Sequence, residues 1–214
     1  MENEQVADER ATDRLILFSD AVVAIAITLL ALELPVPAGR DVSEFWKSVR
    51  EHDGHYLAFL ISFAVISASW GQHHRVYRAV ARVDAPLRTI NMLWLLMIVL
   101  NPLATKMLTT EDHDSVATHA LRFGFYALLQ VIAGLALLAA TRRLTEQRLR
   151  IGGAPAPSGP GDGRDLHGVI IGFALSIPVF FATTYGWVLW IICPFAANRL
   201  GSRVRGRQRA DQTA

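Results

Sequence analysis

The sequence predicts an all-α membrane protein with six transmembrane helices per chain. Three observations carry that reading: apolar runs long enough to cross a bilayer, charges confined to blocks between them, and a bias of Arg and Lys toward alternate loops. Of the 214 residues, 52% are hydrophobic and 19% charged, and the mean hydropathy is +0.30. A disordered chain would be polar and highly charged, and a soluble domain would not hold its charges in separate blocks. The length suits one compact domain. A single cysteine, Cys193, excludes an intrachain disulfide and a Cys-based metal site.

The elements follow from the runs in order. A hydrocarbon core takes roughly 20 apolar helical residues, with a range of about 17–25. Residues 15–34 carry only Asp20 and Glu33 as charges, and residues 54–74, 89–105 and 123–141 carry none. Each of these runs fits one span. The fifth run, 166–198, has 33 residues, far too many for one crossing at about 1.5 Å per residue. It breaks naturally at Tyr185-Gly186 into two short helices, with Pro178 and Pro194 as kink positions because each removes a backbone donor. The expected spans are therefore about 14–34, 55–78, 87–107, 118–141, 166–184 and 186–200. The first run follows an acidic stretch and is longer than a signal-peptide core, so it reads as a span.

Orientation comes from the loops. With six spans and the N-terminus in the cytoplasm, the inside segments hold sixteen Arg and Lys residues and the outside segments four: Arg40, Lys47, Arg50 and Lys106. That bias places both termini in the cytoplasm of a multi-pass plasma-membrane protein. It also accounts for the pI near 9.0 through topology and anionic lipid, without a nucleic-acid partner. Residues 152–163, GGAPAPSGPGDG, read as a flexible cytoplasmic linker. Residues 201–214 read as a basic tail, and 1–214 as one six-helix domain.

Candidate functional residues begin in the first span. A carboxylate inside a span is costly and ordinarily faces protein or water, so Asp20 is expected to make an interior polar contact. Thr12 and Asp13 suit the helix start better. Arg14 and Asp20, six residues apart, lie about 240° around the helix and cannot pair with each other. Ile25, Thr28/Leu29 and Leu32 form one stripe at helical spacing. Ala24, Ile27 and Ala31 form another, whose small residues permit close packing. The first stripe reads as lipid-facing or core surface, or else as the hydrophobic constriction of a pore. The second span ends in Trp70, Gly71, Gln72, His73, His74 and Arg75. Adjacent histidines point about 100° apart and do not chelate one metal, so no metal and no cofactor is implied. Trp70 and His74 share a face. Asp20, Ser19, one of the histidines, Trp70 and Asn91 all fall at the cytoplasmic level and could form one buried polar knot. Thr183-Thr184-Tyr185-Gly186 superficially matches a potassium-filter motif, but the order is wrong and no pore helix precedes it; it reads as a tight turn.

Taken together, Arg14-x-x-x-Phe18-Ser19-Asp20, the apolar helix after it, Trp70-x-x-His73-His74-Arg75, Asn91 and Asn101-Pro102 resemble the transmembrane protein 175-type potassium channels, an endosomal and lysosomal family with bacterial members. The resemblance implies a homotetramer with the first helix lining a central pore. It implies passive conduction of potassium, modestly favoured over sodium. Ile25 would form the tightest constriction, with Thr28, Leu29 and Leu32 in the next layers. Arg14, Phe18, Ser19, Asp20, Trp70, His73, His74 and Asn91 would brace the first helix.

Two other classes remain. A proton-coupled transporter or proton-leak pathway would use Asp20 with His73 or His74 as a relay, yet the inverted repeats usual in transporters are missing. An enzyme would need a nucleophile–base set, and neither G-x-S-x-G nor H-E-x-x-H occurs.

Overall fold

The computed structural model describes residues 2–110, 115–147, 149, 163–190 and 192–193, and its regular elements are helices. In chain order these are α1 (Glu2–Leu32), α2 (Val42–Glu51), α3 (Asp53–Tyr77), α4 (Ala85–Leu108), α5 (Val116–Glu146), α6 (Gly163–Val179) and a 3-10 turn (Thr184–Trp187). Among the described residues, four stretches are long and apolar enough to cross a membrane: Asp8–Leu32, Asp53–Tyr77, Ala85–Leu108 and Val116–Glu146. The shorter apolar helix Leu166–Val179 follows. Of the spans expected at 166–184 and 186–200, the first coincides with α6 and the turn after it. The second runs past residue 193, outside the described residues, as do most of the 152–163 linker and the whole 201–214 tail.

Helix ends are set by local chemistry. Asp84 caps α4 by accepting from the Leu87 amide at 2.9 Å, and Pro86 sits in its first turn, where a missing N–H costs nothing. Ser115 caps α5 by accepting from Thr118 N. α1 begins well before its apolar run, so Thr12 does not cap it. Its hydroxyl instead bonds back to the Asp8 carbonyl inside the helix. Asn101-Pro102 lies within α4, which continues to Leu108.

The sequence reading missed α2, which has no buried residue. Its cap is a sequence signature: Asp41 Oδ1 accepts from the amides of Ser43 and Glu44, and Glu44 Oε2 accepts from Arg40 N. Those two amide bonds to the carboxylate hold the Asp41 carboxyl below its ordinary pKa.

α4 is the hub. It packs against α1, α3 and α5, and Leu87, Asn91, Trp94, Ile98 and Asn101 on it are wholly buried. α5 approaches its neighbours closely because Ala120, Ala127, Ala133, Ala136 and Ala140 fill its buried face. At Gly134 a Cβ would stand 2.6 Å from Ile170 Cγ1 on α6, so only glycine permits that approach. The α4 N-terminus is clamped to the end of α5. Arg143 Nε and Nη2 both donate to Asp84 Oδ2, at 2.9 and 2.6 Å. This ion pair is the main reason the Asp84 carboxyl sits below its ordinary pKa.

Candidate functional site

α1 carries two stripes that lie about 140° apart at 100° per residue. Thr12, Leu15, Ser19, Val23, Ala26 and Leu30 are buried. Arg14, Phe18, Ala21, Ile25, Thr28 and Leu32 are exposed. The buried stripe corrects the expected packing face of Ala24, Ile27 and Ala31. Ala24 and Ala31 are exposed and Ile27 is only half-buried, while Ala26, 1% exposed, is the small residue at the helix contact. Ala24 and Ala26 differ by 200° around the helix, and composition alone does not choose between them.

A hydrogen-bond chain pins the buried stripe. His73 Nε2 donates to Asn91 Oδ1 at 2.7 Å, Asn91 Nδ2 donates to Ser19 Oγ at 3.0 Å, and Ser19 Oγ donates to the Leu15 carbonyl at 2.8 Å. Ser19, His73 and Asn91 are all 0% exposed, so each bond is made where water cannot substitute for it. The His73 ring lies between Trp94 and Tyr77, with centroids 4.1 and 4.3 Å away. That stacking fixes its orientation and hence the aim of Nε2. A second tie lies one residue along: Trp70 Nε1 donates to Asp20 Oδ1 at 2.7 Å, and the His74 ring sits 5.5 Å from that of Trp70.

The structure thus brings together Ser19, Asp20, Trp70, His73, His74 and Asn91 in two adjacent ties. Arg14 and Phe18 are not part of them. They lie on the exposed stripe, Phe18 is 51% exposed, and Arg14 has no side-chain partner among the described residues. The motif therefore straddles the helix: Ser19 and Asp20 turn inward, Arg14 and Phe18 outward.

The pore candidates all lie on the uncovered side. Ile25 is 58% exposed, Leu29 46% and Leu32 80%. Thr28 is exposed, and its hydroxyl donates to the Ile25 carbonyl at 2.8 Å. That bond uses its proton and leaves its oxygen able to accept. Of the most apolar stretch of α1, 28% is buried, against 50% for α4 and for α5 and 11% for α3.

A second polar network went unseen in the sequence. Gln130 Nε2 donates to Asn101 Oδ1 at 2.7 Å, Asn101 Nδ2 to the Met97 carbonyl at 2.9 Å, and Thr105 Oγ1 lies 2.8 Å from Ser62 Oγ. It ties α3, α4 and α5 without touching α1. The available signal was Gln130 in the middle of an otherwise apolar run, a residue that needs a partner in a membrane. Among the described residues no group of three or more His, Cys, Asp or Glu could hold a metal ion.

Residues 14–102 match the family described as the endosomal/lysosomal potassium channel TMEM175. A potassium channel of Streptomyces collinus is 38% identical over 128 residues, which is 60% of this chain and 62% of that protein. A protein of Bos taurus named an endosomal/lysosomal proton channel, TMEM175, is 32% identical over 115 residues, 49% of this chain and 24% of that one. The chain thus spans less than two thirds of these relatives. The crystal structure of a lysosomal potassium-selective channel TMEM175 homologue from Chamaesiphon minutus shares the fold, with a TM-score of 0.67 and 25% identity over 91% of this chain and 98% of that one. These relatives carry channel names, not enzyme names.

Proposed function

We propose, from the premise that this chain is a relative of the TMEM175 potassium channels, that four copies surround a pore lined by the exposed stripe of α1 and pass potassium passively, modestly favoured over sodium. The observation that supports this is the uncovered stripe itself: α1, hydrogen-bonded to α3 and α4 on one face, leaves Ile25, Leu29 and Leu32 bare on the other. One α1 cannot enclose a channel, and closed cyclic symmetry brings equivalent stripes to one axis. Ile25 is the constriction. Its side chain offers no oxygen, so an ion passing it sheds part of its hydration shell, and smaller, more tightly hydrated sodium loses more by doing so. Thr28, one turn further, presents hydroxyl oxygens that offset part of that loss. The polar ties do not contact the ion; they hold the angle of α1. Arg14 and Phe18, on the same exposed stripe, meet neighbouring copies or the pore entrance.

The chain is read as a single six-span domain in the plasma membrane, with both termini cytoplasmic and lipid around the assembly. Purified protein in a planar bilayer, with potassium on one side and sodium on the other, tests the proposal. The expected result is unitary currents whose reversal potential favours potassium. A stable monomer that passes ions would contradict a shared axis.

A second reading keeps Asp20 and His74 as a proton path. It draws support from the half-exposed Asp20, from His74 Nδ1, which is buried without a hydrogen-bond partner, and from the bovine relative's name. His73 fits it poorly, because its donated bond ends on an amide, which does not readily pass a proton on. Proton flux that survives in the tetramer after His74→Phe and Asp20→Asn would remove this reading.

A further inference from the structure

The residue after the outermost pore candidate is charged and paired. Glu33 follows Leu32, and its Oε2 lies 2.7 Å from Lys106 Nζ on the last turn of α4. Both side chains are largely exposed, 44% for Glu33 and 61% for Lys106. The pair is not buried, so its fields reach the surrounding water. α1 also ends loosely at this point: Glu33 N and Leu34 N reach back to the Leu30 and Ala31 carbonyls at 3.3 Å each. Its last turn carries no basic residue of its own. The carbonyl end of a helix carries roughly half a negative charge, and Glu33 adds a whole one beside it. Lys106 supplies the cation that this helix end lacks. Behind the pair, a cavity of about 100 Å³ is lined by Leu30, His55, Phe59 and Pro102, among others. Among the described residues, the ion-pair partner of Lys106 is Glu33.

Resting on the tetrameric channel reading, we infer that the Glu33–Lys106 pair sets the electrostatic potential at the outer mouth of the pore, and hence conductance, without setting ion selectivity. Glu33 lies about 100° around α1 from Leu32, on the side that meets α4, so four helix ends and four carboxylates would flank the entrance rather than line it, and at low salt their fields reach it and concentrate cations there. Four lysines offset that charge. The pair is therefore a brake: Lys106 cancels the Glu33 charge, and its loss bares four carboxylates. Selectivity is untouched because the narrow ring at Ile25 lies two turns away on the opposite side of Leu32.

The test is unitary potassium conductance against salt for wild type, Lys106→Gln, Glu33→Gln and the double variant. At about 0.1 M salt, where the Debye length is about 10 Å, Lys106→Gln is expected to raise conductance about twofold and Glu33→Gln to lower it about twofold. The double variant returns to near wild type. At about 1 M salt, where screening shortens to about 3 Å, the four converge. The potassium/sodium reversal potential stays the same throughout. Lys106→Arg, which keeps the charge, matches wild type and controls for disrupted assembly. If both single variants change conductance in the same direction, or neither differs from wild type at low salt, the pair is only a strut between α1 and α4 and the inference is wrong. If wild type itself passes no current, the channel reading fails instead, and the two failures are distinct.

Discussion

On α1 the stripe from Thr12 through Ser19 and Ala26 to Leu30 is buried and hydrogen-bonded, whereas the stripe from Phe18 through Ile25 to Leu32 is bare. The two faces have similar apolar content, so hydrophobicity does not distinguish them. What distinguishes them is which side offers a polar handle to α3 and α4: Ser19 to Asn91, and Asp20 to Trp70. A few directional bonds decide the rotation of a helix that apolar packing alone would leave free, since lipid tails are as apolar as leucine. The covered face should then govern folding and the bare face conduction, and substitutions on each side can break or sharpen that division.

The largest effect on folding is expected at Asn91. Asn91→Leu strands the His73 Nε2 donor and removes the bond to Ser19, at about 1–3 kcal/mol for each buried group left unpaired. Thermal unfolding in detergent should show a lower midpoint and loss of assembly. If assembly and midpoint are unchanged, the polar chain does not hold α1. Ala26→Leu comes next. It forces extra volume into the contact with α3 and α4 and should cost about 1–3 kcal/mol, while Ala24→Leu on the exposed side should leave the midpoint nearly unchanged. Equal effects at the two alanines would erase the distinction between faces.

Smaller changes are expected at the half-exposed ties. Asp20→Ala leaves the Trp70 indole N–H without its acceptor, whereas Asp20→Asn retains an oxygen there. Alanine should therefore be worse by about 1 kcal/mol, read from the same melts. Asp84→Asn breaks the doubly bonded contact with Arg143 and should cost about 1 kcal/mol at neutral pH. Its pH dependence has a definite sign. The folded-state pKa of Asp84 is depressed, so its contribution is complete above the unfolded carboxyl value of about 3.9 and is lost as pH falls through the lower folded value. Wild type and Asp84→Asn should thus differ in melting at pH 7 and converge in strong acid. A gap that widens in acid would reverse the assigned cause.

Much of the candidate site could be read in the sequence because its residues are chemically out of place there. A carboxylate, paired histidines and an asparagine in apolar runs must find partners, and Ser19, Asp20, Trp70, His73 and Asn91 do so. The rotation of α1 was only half legible. The Ile25 stripe follows from spacing, but the covering stripe was assigned to Ala24 and Ala31 rather than Ala26, because small residues mark permission to pack and not the partner's location. α2 escaped notice although Val42, Phe45, Trp46 and Val49 repeat at helical spacing behind an Asp41 cap. Its charges and shortness made it look like a loop between spans. The Asn101–Gln130 and Thr105–Ser62 bonds escaped because each uses one mild polar residue per helix, and only three-dimensional packing pairs them.

The central claim, that the bare stripe of α1 faces the ions, is tested most directly by thiol block of single channels. In a Cys193→Ser background, cysteines are placed one at a time at Ile25, Leu29 and Leu32, and at Val23 and Leu30 on the covered face. Thiophilic ions applied during potassium conduction should block the first three, Ile25→Cys most completely, and leave the two covered positions conducting. If Ile25→Cys, Leu29→Cys and Leu32→Cys all conduct and resist block while a cysteine at Val23 or Leu30 is blocked, the bare stripe faces lipid and the pore lies elsewhere.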